Sequence, residues 1–275
     1  MDAENTPMSV APEPGVPKPD PILVAHGVRR HFGGVHAVDV DHLEIQRGTI
    51  TSLIGPNGAG KTTLFNVLSG FDEPQAGEWH LDGGRLVGIP SFRVARRGMV
   101  RTFQLTRSLA RLTVLDNVLV AAPNALGETL SGALFGRWRK VEAENEVRAL
   151  GLLERFGLTQ MADQYAGSLS GGQRKLLEMA RALMVGPALM MLDEPTAGVN
   201  PALTQTLLGH ITRLRDEGLT VLFIEHDMDV VQELSDWVVC MSEGKVIAEG
   251  PSGVVARNPA VIDAYLGAHH GPAPG

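Results

Sequence analysis

Short apolar stretches separated by glycine turns run over residues 22–54 and end in Ile50-Thr51-Ser52-Leu53-Ile54, a strand pattern. A glycine-rich loop follows, and the spacing predicts a helix that starts at Lys61. Trp79-His80-Leu81 and Leu86-Val87 flank Asp82-Gly83-Gly84, which predicts a hairpin. From about residue 105 to 185 strand alternation is absent and the pattern is predominantly helical. The stretch 127–139 is its least regular part, and a flexible connection is expected there. The run 188–192 is continuously apolar, as a parallel strand buried on both faces must be. Asn200-Pro201 then pairs an N-cap residue with proline at the first helical position. Leu203, Leu207, Ile211 and Leu214 line one face of that helix, and Gly218 ends it. Residues 221–224 form the next buried strand, and residues 237–241 and 245–249 flank the turn Ser242-Glu243-Gly244. The fold class is α/β, a core interrupted by a helical insertion at about 105–185. No internal repeat is present.

Composition narrows the class of partner. The chain has 275 residues, long enough for one large domain or two small ones, with 44% hydrophobic and 20% charged residues. A net charge of −7 argues against a dedicated nucleic-acid binder. The single cysteine, Cys240, excludes an internal disulfide framework and fits a reducing compartment. Beside Trp237, Val238 and Val239 it reads as a buried strand thiol. No apolar run approaches the ~18–20 residues that span a bilayer, so any pore belongs to other chains. Residues 1–21 carry Pro7, Pro12, Pro14, Pro17, Pro19 and Pro21, without the basic and apolar regions of a secretion signal. They are expected to be a disordered tail, residues 22–267 the ordered domain, and residues 268–275 a flexible end.

The chemistry starts at Gly55-Pro56-Asn57-Gly58-Ala59-Gly60-Lys61-Thr62, a full match to G-x-x-x-x-G-K-[ST] between a strand and a helix. Its glycines let successive N–H groups face phosphates, and the helix start adds partial positive charge. Gly55, Asn57, Gly58, Ala59, Gly60, Lys61, Thr62 and Thr63 are the candidate phosphate-binding residues. The motif directs Lys61 at the β- and γ-phosphates and the Thr62 hydroxyl at Mg²⁺. A second element is the strand 188–192, which ends in Asp193 and Glu194. Two carboxylates at the C-terminal edge of a parallel strand suit a metal site. Asp193 is the candidate Mg²⁺ holder through water, and Glu194 the candidate base for the attacking water.

The third element discriminates among phosphate-loop proteins. Leu169-Ser170-Gly171-Gly172-Gln173 is an anion-binding helix start: Ser170 supplies a capping oxygen and the glycines allow close approach. The helix beyond it buries Leu176, Ala180 and Leu183. In this order after a phosphate loop, and with Asp193 following, the sequence resembles the nucleotide-binding domain of ABC transporters over residues 22–267. The resemblance implies a P-loop NTPase core with an N-terminal antiparallel β subdomain and an inserted α-helical subdomain, binding ATP and Mg²⁺ and hydrolysing ATP. It implies that Phe32 stacks on adenine, with His31 adjacent to it. Gln104, after Arg101-Thr102-Phe103, matches the glutamine that contacts Mg²⁺ or water and senses the membrane subunits. Ser170, Gly171, Gly172 and Gln173 match the signature that grips the γ-phosphate on the opposite ATPase subunit, and His226 matches the switch histidine. The basic run Arg93, Arg96, Arg97 and Arg101 reads as a solvated helix face, with a polyanion site as the alternative. One departure stands out: the loop Ala197-Gly198-Val199-Asn200 ends in asparagine where many members carry aspartate.

Finer features resemble the ATP-binding subunits of branched-chain amino acid importers, G type. They are Phe32-Gly33-Gly34, Leu64-Phe65-Asn66, Arg101-Thr102-Phe103-Gln104, Leu112-Thr113-Val114-Leu115-Asp116-Asn117-Val118 and Val261-Ile262-Asp263-Ala264-Tyr265-Leu266-Gly267. That resemblance implies two permeases, a second and different ATPase subunit, an external solute-binding protein, no nucleic acid, and a peripheral place on the cytoplasmic face of the cell membrane. A homodimer of this chain is the alternative assembly. Importers of urea, short amides or aromatic acids are the alternative systems, and a non-transport ABC ATPase the alternative class.

Overall fold

The two kinds of strand pattern build two different sheets. The structure is a computed structural model and describes residues 10–102, 109–123 and 138–267, with Trp138 by its backbone alone. The first sheet is antiparallel, in the order β2(Val35–Gln46), β1(Pro21–Phe32), β4(Ala76–Leu81), β5(Gly84–Arg85). The second has the order β10(Lys245–Gly250), β9(Trp237–Ser242), β3(Ile50–Ile54), β8(Thr220–Ile224), β7(Leu189–Asp193), β6(Met99–Arg101). Strands β9, β3, β8, β7 and β6 run parallel, and β10 returns antiparallel along β9.

The helices cover the second sheet from both sides. They are α1(Lys61–Leu68), α2(Ser91–Arg96), α3(Val114–Leu119), α4(Trp138–Arg155), α5(Gly171–Met184), α6(Pro201–Asp216), α7(Met228–Leu234), α8(Ser252–Val255) and α9(Pro259–Gly267). Strand alternation distributes the apolar side chains between two cores. Met190, Leu192, Val221 and Phe223 face the core with α3, α5 and α6. Leu189, Met191, Leu222 and Ile224 face the core shared with α1 and the antiparallel sheet. Every residue of β3, β7 and β8 is buried, which is why residues 189–192 and 221–224 read as unbroken apolar runs, while β3 carries Thr51 and Ser52 inside. The Trp79 Nε1–H donates to the Leu68 carbonyl at 3.0 Å and fixes the antiparallel sheet to the end of α1.

Four expectations change. Residues 10–20 are packed rather than free: the Lys18 ammonium meets Glu249 at 2.7 Å with both side chains fully buried. Glu249 also accepts from Gly15 N at 2.5 Å, Val16 N at 3.2 Å and Trp237 Nε1 at 2.8 Å. A carboxylate with four donors tolerates burial, and it straps the proline-rich segment onto β9 and β10. Residues 1–9 and 268–275 lie outside the described residues. The hairpin after Leu81 turns on Asp82 (φ 49) and Gly83 (φ 73) alone, so β5 starts at Gly84 and Leu86 lies beyond it. Two successive left-handed residues make the turn that matches strand twist. The buried face of α5 includes Leu176 and Ala180 but also Leu177 and Met179, whereas Leu183 is half-buried. Of the irregular stretch 127–139, residues 127–137 lie outside the described residues and Trp138 and Arg139 already belong to α4.

Candidate functional site

The phosphate loop leaves β3 at Ile54 and closes on α1. Gly55 (φ 144) backs onto the Met241 carbonyl, where an added Cβ would stand 2.1 Å from the oxygen. Gly60 (φ 98) backs onto the Ala37 carbonyl at 2.0 Å on the same measure. Only glycine fits either place. Ala59 N donates to Pro56 O at 3.2 Å, and Gly244 N donates to Ala59 O at 3.0 Å. The β9–β10 turn therefore braces the loop from behind. Asn57, Gly58 and Thr62 are exposed and Thr63 is half-buried. The Lys61 ammonium lies inside the loop, donating to Gly55 O at 2.7 Å and Pro56 O at 3.0 Å. Burial lowers its pKa from the ordinary lysine value, opposed by Glu194, Cys240 and Asp193 nearby.

The edge at the C-terminal ends of β3, β7 and β8 gathers the other polar groups. Asp193 ends β7 with its carboxylate 4% exposed, paired to the Arg101 guanidinium at 2.7 Å. Glu194 follows at φ 48, a left-handed conformation unusual for a residue with a side chain. Its N–H donates to Ile224 O at 3.0 Å, and its carbonyl accepts from Lys175 Nζ at 2.8 Å. This bend brings Glu194 Oε1 within 2.8 Å of His226 Nε2, where the imidazole is half-exposed.

A residue whose role the sequence did not reveal holds this geometry. Glu225 is buried; one oxygen accepts from Thr196 N at 3.1 Å and from the Thr196 hydroxyl, the other from His226 N at 3.1 Å. One carboxylate thus ties the loop after β7 to the loop after β8. The available signal is an acid between an apolar strand and the N-cap Asp227, where no helix face exists to solvate it.

The remaining candidates sit elsewhere. Phe32 ends β1, half-exposed, with the Arg30 guanidinium 4.2 Å from its ring centroid. Ser170 caps α5: its Oγ accepts from Gln173 N at 3.3 Å, and Gln173 Oε1 accepts from Ser170 N at 2.9 Å. Gly172 faces Leu203 of α6, whose Cδ2 would lie 1.5 Å from an added Cβ. Ser170 and Gly171 are exposed. Asn200 caps α6, its Oδ1 accepting from Leu203 N at 3.0 Å. Gln104 lies outside the described residues. Arg93 and Arg96 lie on the exposed α2, flanking Phe92. Arg101 does not share that face: its side chain is buried in β6 at 6% exposure, which corrects the reading of the basic run.

Lys61, Asp193, Glu194 and His226 therefore meet at one sheet edge, the usual ligand edge of a parallel sheet. Among the described residues no helix is long and apolar enough to cross a membrane.

The family model for ABC transporters matches residues 38–197, and a model for branched-chain amino acid ATP-binding cassette transporters matches residues 245–271. The high-affinity branched-chain amino acid transport ATP-binding protein BraF of Pseudomonas aeruginosa is 43% identical over 250 residues, 90% of this chain and 98% of that protein. A probable branched-chain amino acid transport ATP-binding protein of Archaeoglobus fulgidus is 40% identical over 247 residues, covering 90% and 96%. The crystal structure of an ABC transporter's ATP-binding cassette in its ADP conformation superposes with a TM-score of 0.78 at 35% identity, covering 90% of this chain and 99% of that one. The chain belongs to the ABC transporter family, as an ATP-binding and ATP-hydrolysing cassette among the branched-chain amino acid transport ATP-binding proteins.

Proposed function

We propose that this cassette powers uptake of branched-chain or other hydrophobic amino acids, working with two permeases, an external solute-binding protein and a second, different ATPase subunit. The observation that carries the substrate class is the C-terminal match over residues 245–271, where Tyr265 of α9 packs with Ile54 and Cys240 below the phosphate loop. The chain holds its place at the cytoplasmic face of the membrane through the permeases. Reconstitution with its permeases and binding protein in vesicles tests this. Leucine uptake driven by ATP is the expected result; uptake of urea, a short amide or an aromatic acid without leucine would overturn it.

The site residues take these roles. Lys61 and the N–H groups of Gly58, Ala59 and Gly60 bind the phosphates, with Gly55, Asn57 and Thr63 shaping the loop. Phe32 offers its ring to the adenine, with Arg30 against it. Glu194 takes the proton of the attacking water, and His226 holds the Glu194 carboxylate in position. Ser170, Gly171, Gly172 and Gln173 present a helix start to the γ-phosphate on the facing subunit. The Thr62 hydroxyl and the Asp193 carboxylate would hold Mg²⁺, with Gln104, which lies outside the described residues, as a further oxygen donor; oxygen donors suit this ion. Bound there, Mg²⁺ would neutralise charge on the phosphates.

A further inference from the structure

Arg101 is the best-buried cation at the sheet edge that none of these roles uses. Its Nη2 donates to Asp193 Oδ2 at 2.7 Å, and its Nη1 donates to Asn66 Oδ1 at 2.6 Å. The guanidinium carbon lies 5.6 Å from the Phe65 ring centroid. The Nε, also buried, has no hydrogen-bond partner among the described residues. The arginine thus joins three elements: β6, the carboxylate at the end of β7, and the helix α1 that starts at Lys61. Both carboxylate and guanidinium are nearly closed to solvent, at 4% and 6% exposure. A buried carboxylate needs a compensating charge at all times.

We propose that Arg101 is the resident counter-ion of Asp193, which it must yield when a divalent metal arrives with the nucleotide. The inference rests on the reading of Asp193 as the metal-holding carboxylate. Two positive charges compete for one acid, so the ion pair lowers the affinity for metal. The same pair removes a bare negative charge from beside the phosphate loop, so it raises the affinity for ATP without metal. Asn66 gives the displaced guanidinium a second anchor on α1. Arg101 is a positioning residue, and its signature is a change in how strongly ATP binding depends on Mg²⁺.

The test uses the purified full chain and a fluorescent ATP analogue, titrated in Mg²⁺ and in EDTA. The readout is the ratio of the two dissociation constants, Kd in EDTA over Kd in Mg²⁺. Arg101→Met is expected to raise that ratio about tenfold or more, because the carboxylate then repels metal-free ATP and binds metal unopposed. Arg101→Lys keeps the charge and is expected to stay near the wild-type ratio. In an Asp193→Asn background, Arg101→Met is expected to leave the ratio unchanged, since the charge it answers has gone. Arg101→Gln keeps a donor for Asn66 and carries the same expectation as the methionine variant, should that one fail to fold. An unchanged ratio in Arg101→Met or Arg101→Gln, or the same rise with Asp193 removed, overturns the proposal. A wild-type chain whose ATP binding ignores Mg²⁺ would instead overturn the assignment of Asp193 itself.

Discussion

Glu194 has one carboxylate oxygen on His226 and a backbone bent by Ile224 and Lys175, so its side chain is aimed before any substrate arrives. Glutamine in its place preserves the shape and removes the basic oxygen that the proposed role needs. Glu194→Gln should cut ATP hydrolysis by a factor on the order of 10²–10⁴ in the assembled complex while ATP binding persists. Phosphate release checks this, and near-normal turnover would take Glu194 out of the role. Cys240 makes a second expectation at this scale. Burial pushes its thiol up to about 12, although Lys61 nearby pulls the other way. Thiolate is the reactive form, so alkylation at neutral pH should be negligible in the native chain and complete in denaturant. Rapid native labelling would mean that the strand opens. The place of Asp193 and Glu194 was legible in the sequence because two acids that close an apolar strand, after a phosphate loop, fall at the ligand edge of a parallel sheet. Glu225 and Arg101 were not. Each is a single charge with a partner far away in the chain, Thr196 for Glu225 and Asp193 for Arg101, and Arg101 follows three arginines that do lie on the surface.

At the scale of elements, local rules carried most of the reading. Asn200-Pro201, Ser170 with Gln173, and the glycines of the phosphate loop each announce a cap or a left-handed turn within a few residues. Asn200→Ala should cost about 1 kcal/mol of unfolding free energy through the lost cap, measured by urea titration. The sequence signals the hairpin but not its length, since Gly84 can turn as readily as Asp82 and Gly83 yet pairs with Leu81. The packing of segment 10–20 is not legible in the sequence, because its proline content signals disorder and its anchor is a residue 231 positions away. Breaking that anchor leaves an uncompensated buried charge on the surviving side. Lys18→Met and Glu249→Gln should each cost about 3–5 kcal/mol. The double variant should cost clearly less than their sum. Strict additivity would show that the two side chains do not depend on each other, and equilibrium unfolding decides it.

For the molecule as a whole, the roles proposed above fall in two separate places. Lys61, Asp193, Glu194 and His226 collect at one sheet edge, whereas Ser170 and Gly171 open the exposed start of α5. The hydrogen bonds of Ser170 and Gln173 stay within that helix start, and the end proposed for anion binding is exposed. Gly172 in the same helix start packs closely against Leu203 of α6, which leaves no room for a side chain there. A second cassette presenting its own phosphate loop to this end would complete a site for each chain. An interface held by shared ATP weakens without it, so the isolated chain should run as a monomer in size-exclusion chromatography. Ser170→Arg places a bulky cation on the outward end of α5. It should stop hydrolysis at the facing subunit's loop and leave ATP bound at Lys61 of this chain. Ser170→Thr keeps the capping hydroxyl and should retain hydrolysis, which separates a blocked dock from a frayed helix. Photo-crosslinking of ATP to each chain of the assembled transporter reads the two sites apart. Equal loss of ATP from this chain's own loop would mean that signature and loop act within one copy. Native mass analysis showing two copies of this chain and no second ATPase would replace the heterodimer with a homodimer.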